Sequence, residues 1–438
     1  MKQSSLNLPR FGSGLGLARV SALAERLELD LAALGRRSIA IAGSNGKGSV
    51  ARMLAAALQA SGRRTGLFTS PHLFAVNERY EIKGEVVDDD RLRVAEAQVG
   101  RAIETYCADH PDAAVGAFEA SFLTACILFA EAGLDDLVFE VGIGGRYDPV
   151  RLLKAPLSAL VSIDLEHTGL LGDTLEAIAL DKLDICPPGG QIIAGRSLER
   201  LAPSLETVAA LKGIALIWSG HETQIHGFRD SLTGAVFELA AGDTRFSVAT
   251  NVHGRHQAEN AALAFQLLLR RLGNQHGSQR VTAFCQGMSS VTHPGRMEVF
   301  SRSVPVLIDV AHTPAAMQTT IDALQELKAE VSGVALVGVS EDKNYRALLE
   351  PIASQFEHFI IGQAYRGLDP EQVAAILQDQ NPSAQIAIAT DAEDAIRRGE
   401  AVADQSGLDY MAGLGGLFWA GALRAVLTGH RPGAVAFD

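Results

Sequence analysis

IAIAGSNGKGSVARML, residues 39–54, is an apolar run that breaks into glycines and resumes with helical spacing. Gly43, Gly46 and Gly48 admit backbone angles closed to residues with a Cβ, so the amides of this stretch, Asn45 included, can turn toward an anion. Lys47 adds a point charge, and Ser49 a hydroxyl at the start of a helix whose dipole favours negative charge. Val50, Met53, Leu54 and Leu58 give that helix a buried face. The stretch therefore predicts a phosphate cradle between a strand and a helix. Its spacing is a variant one, because Gly48 separates Lys47 from the hydroxyl residue that usually follows directly.

Outward from the loop, apolar positions from Leu17 to Leu34 predict a helix before the first strand. Arg64 to Thr69 reads as a second strand, stopped by Ser70-Pro71-His72. Val87 to His110 has helical alternation, and Phe118 to Ala132 is apolar nearly all round, the mark of a buried helix. Leu137–Val141 and Leu157–Ile163 are further strands, each running into a polar cluster: Gly142-Ile-Gly-Gly-Arg146 and Asp164-Leu-Glu-His167-Thr. Strands alternating with helices predict a parallel, doubly wound sheet whose ligands bind beyond the carboxyl ends of the strands. Ile214 to Thr250 changes to short runs between glycine turns and predicts appended β-hairpins, after which Arg255 to Leu272 returns to helix.

The turn Thr292-His-Pro-Gly-Arg296 divides the chain into residues 1–292, an ATPase-like α/β domain, and 293–438, a smaller Rossmann-like α/β domain. Within the second, Val304–Val310, Gly333–Val339, His358–Gly362 and Gln385–Ala389 are strand candidates. A chain of 438 residues with 47% hydrophobic content has ample material for two cores. Its net charge of −13 argues against general affinity for nucleic acid or anionic membrane, so an anionic ligand must be held locally. Cys107, Cys126, Cys186 and Cys285 show no C-x-x-C spacing and read as free thiols. No apolar run approaches the ~18 residues of a membrane span, and the N-terminus lacks a signal-peptide core. A soluble, cytoplasmic, monomeric protein is expected.

Glu140 and His167 sit at strand ends, where a carboxylate, a serine hydroxyl and nucleotide phosphates can complete the oxygen shell of Mg²⁺. Asp309 and His312 occupy the matching position after the first strand of the second domain; Asp309 is also placed to cap the helix that follows. A second domain with its own strand-end cluster can close over the first and form a site between them.

AGSNGKGS, TSPHL, FEVGIGGR, DLEHTGLLGDTLEAIALDK, HGRHQAENAALA, HPGRMEV, DVAHTPAA and SEDKN together resemble the Mur ligase superfamily in order and spacing, and within it the folylpolyglutamate synthase and dihydrofolate synthase branch. The resemblance spans roughly residues 15–430 and implies an ATP- and Mg²⁺-dependent ligase that joins an amino acid, expected to be glutamate, to a carboxylate acceptor such as dihydropteroate or a folate. It also implies triphosphate contacts at Gly46, Lys47, Gly48 and Ser49, and a Mg²⁺ environment of Ser49, Ser70, Glu140 and His167. Asn260 falls near adenine, Arg296 near phosphate, and Asp309 and His312 face nucleotide and amino acid. Asp342 and Lys343 fall in a DKD-like loop. Lys182 matches a lysine that is carbamoylated in the family, although Asp181 and Asp184 offer it ordinary ion pairs.

The sequence departs from the family pattern at Tyr147-Asp-Pro-Val-Arg151 after the glycine turn, around Lys182, at Ala75-Val76 before Glu78-Arg79, and at Ala412-Gly-Leu414, where a Thr-Gly-Ser turn is expected. These departures keep a non-folate acceptor as the alternative. A regulatory nucleotide switch is disfavoured by the complete second domain and the missing Asn-Lys-x-Asp signature.

Overall fold

The computed structural model describes residues 6, 8–9, 11–14, 16–73, 75–231, 234–273, 277–327, 332–340 and 344–429. The first sheet contains β1 (Ser38–Ala42), β2 (Thr65–Phe68), β3 (Tyr80–Ile82), β4 (Glu85–Val86), β5 (Asp136–Glu140), β6 (Leu157–Leu160), β7 (Gln191–Ala194) and β8 (Ala215–Trp218). Their order is β4-β3-β2-β5-β1-β6-β7-β8. The strands from β2 to β8 across the sheet are parallel, while β3 and β4 add an antiparallel edge. β1 lies between β5 and β6, with Ile41 level with both Glu140 and Ala159. The chain leaves β1 for one face of the sheet at this central crevice, the place where a doubly wound sheet binds its ligand.

The period-2 pleat explains why β1 is small and large in turn. Ile39 and Ile41 pack with Val50, Met53 and Leu54 of the loop helix, Lys47–Ala60. Ala40 and Ala42 face the opposite layer, where the helix Ala117–Glu131 buries ten successive residues from Ala120 to Phe129. The all-round apolar pattern of that helix was legible because it has neighbours on every side. The helix expected over Leu17–Leu34 is instead two, Leu17–Arg26 and Leu31–Gly35, with Glu28 in the left-handed region (φ 55) and Asp30 capping the second through Ala33 N. Apolar spacing continues across the break, so periodicity alone does not reveal it.

The hairpin region is also more divided than expected. Its first run is β8, a parallel strand of the main sheet. β9 (Gln224–Ser231), β10 (Gly234–Ala241) and β11 (Thr244–Thr250) form a separate antiparallel sheet. The helices Arg255–Leu272 and Gly277–Ser290 then pack against the loop helix.

The third sheet contains β12 (Glu298–Phe300), β13 (Val306–Ile308), β14 (Gly333–Val337), β15 (His358–Ile361), β16 (Gln385–Ile388) and β17 (Tyr410–Leu414), in the order β12-β13-β17-β14-β15-β16. β17, which includes Ala412-Gly-Leu414, is a buried central strand and not the turn expected there. The glycine turn follows it at Gly415 (φ 118) and Gly416 (φ 141), where the last helix, Leu417–Leu427, begins.

Candidate active site

Gly46 (φ 80) closes the turn that β1 feeds into the loop helix. A Cβ there would lie 2.8 Å from Asn260 Oδ1, so the backbone and Asn260 are already in contact. Asn260 thus sits against the loop itself, with its Nδ2 donating to Gln257 Oε1 at 3.0 Å. The amides of the first helical turn have no intrahelical acceptor and are available to an anion. Those before them are not: Ser44 N donates to Ser162 O (2.8 Å) and Asn45 N to Ser162 Oγ (2.9 Å). Ser162 thus holds the Asn45 amide and stitches the loop to the end of β6.

Lys47 Nζ donates to Gly43 O and Ser44 O, each at 2.9 Å, which folds its side chain back along the loop. Desolvation lowers its pKa, opposed by the charge of Glu140. Glu140 is buried at the end of β5 and accepts from Ser70 N at 2.9 Å. Burial raises its pKa, with Lys47 and the Ser70 amide pulling the other way. A desolvated carboxylate with acceptor capacity left over suits a hard cation. A Cβ at Gly48 would be 3.4 Å from both Glu140 oxygens and 3.6 Å from His293 Nε2. The helix start thus lies in ordinary contact range of Glu140 and His293.

The donor set fits a magnesium–nucleotide in its chemistry: a glycine cradle, a lysine ammonium, a buried carboxylate and the hydroxyl of Ser49. Among the described residues no three His, Cys, Asp or Glu side chains gather around a metal position. Such a cation would therefore draw ligands from phosphate and water, as Mg²⁺ commonly does.

His293 was not singled out by sequence. Its Nδ1 lies 3.0 Å from Ser49 Oγ, bringing the linker between the sheets onto the loop helix. Desolvation first, then the charges of Arg296, Arg52 and His256, hold its pKa well below the ordinary value. A histidine followed by Pro-Gly reads as turn chemistry, and only the fold brings it to a serine 244 positions away. Arg296 is exposed beyond it, and its charge acts on both Lys47 and Glu140.

Other expected residues stand differently. His167 is exposed and left-handed (φ 46) at the start of a one-turn helix. His312 is exposed on the other domain, with Nδ1 3.1 Å from Val310 O. Asp309 has much of its accepting capacity used locally, by Met297 N (2.9 Å), Ala311 N (2.8 Å) and Thr320 Oγ1 (3.0 Å), so it fastens the turn after β13. Asp342 and Lys343 lie outside the described residues.

Lys182 is 1% exposed and held by neither flanking aspartate. Asp181 accepts from Gly145 N and Arg146 N, and Asp184 pairs with Arg146 and Lys212. Lys182 Nζ instead pairs with Glu166 Oε1 at 2.8 Å and donates to Gly43 O at 3.0 Å. The surface ion pairs offered by its neighbours in sequence are thus corrected to a buried one.

Asp148 organises the glycine turn after β5. It accepts from Gly142 N, Ile143 N and Val150 N, and burial lifts its pKa to about 7 against those hydrogen bonds.

A Mur ligase, glutamate ligase domain model matches residues 295–409. The chain is similar to a folylpolyglutamate synthase of Lacticaseibacillus casei, 31% identical over 328 residues that cover 73% of this chain and 75% of the relative. It is 30% identical over 385 residues to a "Probable bifunctional folylpolyglutamate synthase/dihydropteroate synthase" of Halobacterium salinarum, covering 87% of this chain but only 46% of that longer protein. A Mycobacterium tuberculosis folylpolyglutamate synthase solved with ADP and AMPPCP superimposes with a TM-score of 0.83 at 28% identity, over 95% of this chain and 96% of the other. A bifunctional folylpolyglutamate synthase/dihydrofolate synthase with Mn, AMPPNP and L-glutamate bound gives 0.75 at 27% identity, over 95% of each chain.

Proposed function

The chain belongs to the folylpolyglutamate synthase family of Mur ligases, and on that premise we propose that it is an ATP-dependent ligase joining L-glutamate to the carboxylate of dihydropteroate or a folate. The observation that carries this reading is the convergence of the glycine loop, Lys47 and the buried Glu140 at the central crevice of a doubly wound sheet.

ATP with Mg²⁺ supplies the phosphoryl group that turns the acceptor carboxylate into an acyl phosphate. The chain's own residues position and neutralise, which is most of what phosphoryl transfer requires. Lys47 and the first amides of the loop helix receive the triphosphate. Glu140, Ser49, Ser70 and His167 form the oxygen and nitrogen environment assigned to the cation, with Glu140 supplying the buried negative charge. Arg296 and Asn260 flank the nucleotide. Asp309 holds the turn that presents His312 to the amino acid. Residues 293–438 close over residues 1–292 and exclude water from the acyl phosphate.

Among the described residues no helix is long and apolar enough to cross a membrane. We place the enzyme in the cytoplasm, as a monomer without nucleic-acid partners. The test is phosphate release and amide formation with glutamate plus dihydropteroate, tetrahydrofolate or no acceptor. Amide product with either pterin supports the folate reading. Turnover with neither, together with activity on another carboxylate, replaces the acceptor, and ATP turnover without amide product overturns the ligase.

A further inference from the structure

We propose that a cavity at the amino end of the first sheet binds a small multivalent anion, a short chain of phosphates or carboxylates. This site is separate from the nucleotide crevice and does not depend on the ligase reading.

The cavity, of about 970 Å³, lies where the helices Lys47–Ala60 and Arg255–Leu272 end and the helix Gly277–Ser290 begins. That is the size of a small-molecule site. Its charged lining is four arginines, Arg63, Arg270, Arg271 and Arg280, against one carboxylate, Asp135. Asp135 is itself engaged by Arg64, whose Nη2 donates to Oδ1 at 2.8 Å. Asp136, fully buried at the start of β5, is shared, because Arg63 Nε donates to one of its oxygens and Arg271 Nε to the other. Glu222 accepts twice from Arg270 Nη2, at 2.7 and 2.8 Å. Five guanidiniums thus meet three carboxylates, in a chain whose net charge is −13. Each guanidinium carries five N–H donors and stays charged at any working pH. The bonds to Asp136 run through Nε, which fixes both forks and leaves Nη donors for a second anion.

Helix ends alone account for part of this cluster. Arg270 and Arg271 stand in the last turn of Arg255–Leu272, where a cation complements the dipole. Arg280 has no such reason. It stands in the first turn of Gly277–Ser290, where the dipole disfavours a cation, and no carboxylate among the described residues pairs with it. Its Nη1 donates to Gly273 O at 2.6 Å, while its Nε is buried with no hydrogen-bond partner among the described residues. An anion in the cavity offsets both costs. The concave shape and the negative charge of the whole chain favour a short anion over an extended nucleic acid. β5 sets the distance to the crevice: it runs from Asp136 at the cavity to Glu140, a rise of about 13 Å.

The test uses the full chain in a Lys47→Ala background, which disables the phosphate loop, with and without Arg280→Gln. Tripolyphosphate and tri-γ-glutamate are each titrated by calorimetry. One of them should bind at micromolar concentration, which identifies the anion as phosphate or carboxylate, and Arg280→Gln should weaken it about tenfold, as for one lost charge-assisted hydrogen bond. Phenylglyoxal labelling read by peptide mass spectrometry then locates the site. The bound probe should protect Arg270 and Arg280 while the exposed Arg93 stays reactive. Binding of neither probe below millimolar concentration, equal affinity with and without Arg280→Gln, or no protection of Arg280 overturns the proposal. A short DNA duplex that binds more tightly than either probe and is lost with Arg280→Gln overturns the small anion in favour of nucleic acid.

Discussion

Lys47 and Glu140 carry opposite charges in one desolvated crevice, and their environments shift both toward neutrality. Neither is needed for the core, because Lys47 ends on two loop carbonyls and Glu140 on the Ser70 amide. Lys47→Ala is expected to lower ATP-dependent ligation by ~10²–10³-fold, the scale for losing one preorganised donor to developing charge, with the circular dichroism unchanged; activity within tenfold of wild type rules the assignment out. Glu140→Gln keeps an oxygen but loses the charge a hard cation needs. Its Mg²⁺ titration midpoint should rise at least the roughly 10–100-fold that outer-shell partners already give, and an unmoved midpoint makes Glu140 structural. His72 supplies a pH dependence. Burial, with Arg79 adding to it, lowers its pKa to about 4, and its Nδ1 accepts from Arg79 Nε at 2.9 Å. The unfolded imidazole takes its proton near pH 6.5. Between pH 6.5 and 4 the unfolded state therefore binds more protons, so this residue makes stability fall on acidification through that window and leaves it level above pH 6.5. Urea midpoints measured across pH 4–7.5 should slope less in His72→Gln than in wild type, and parallel slopes would remove His72 as the cause. At this scale the sequence singled out Lys47, Ser49, Ser70 and Glu140 as candidates, because each lies in a short motif whose spacing is local. Glu166 and His293 were hidden, since their partners are set by the fold.

The loop helix is the element on which the site depends, and its length beyond the first turn serves packing. Gly287, on the helix Gly277–Ser290, crosses it so closely that a Cβ would stand 2.6 Å from Ala57 N and 2.7 Å from Ala57 Cα. Both neighbours are backbone and cannot turn aside. Gly287→Ala should therefore cost the ~1–3 kcal/mol typical of overpacking, read as a lower urea midpoint, and it should weaken ADP binding by displacing the helix that carries Lys47 and Ser49. A normal midpoint would mean that the two helices separate freely. Elements with a strong local pattern were legible: β1, its helix, and the all-apolar helix Ala117–Glu131. β17 was not, because glycine-rich Ala412-Gly-Leu414 imitates a turn. Its glycine is instead a small residue within the sheet, where a Cβ would lie 2.5 Å from Leu423 Cδ1. The break between Leu17–Arg26 and Leu31–Gly35 was missed for the opposite reason, as apolar spacing runs through a left-handed Glu28.

For the whole molecule, the junction between the two sheets matters most, and a single leucine marks it. Leu73 follows Ser70-Pro-His on the loop after β2, yet it is buried among Val304, Val306, Ile308 and Val310 of the second unit. A Cβ at Gly295 would lie 2.8 Å from Leu73 Cδ2 and 2.7 Å from Val310 Cγ1, so the linker, the loop and the second sheet meet without spare room. The same loop gives Glu140 a hydrogen bond, through Ser70 N. The packed junction at Leu73 and the Ser70 amide at the proposed cation site thus lie three residues apart on one loop. Leu73→Ala removes the plug and leaves a cavity at the junction, at the ~2–5 kcal/mol typical of such truncations. The cost should fall on docking and not on either core, because each sheet keeps its own hydrophobic layers. Thermal unfolding should then separate into two transitions, while ADP affinity stays within a few fold of wild type and the turnover number for amide formation falls. A single transition with an unchanged midpoint and undiminished turnover would show that closure is carried by other contacts and that Leu73 is only a well-packed side chain.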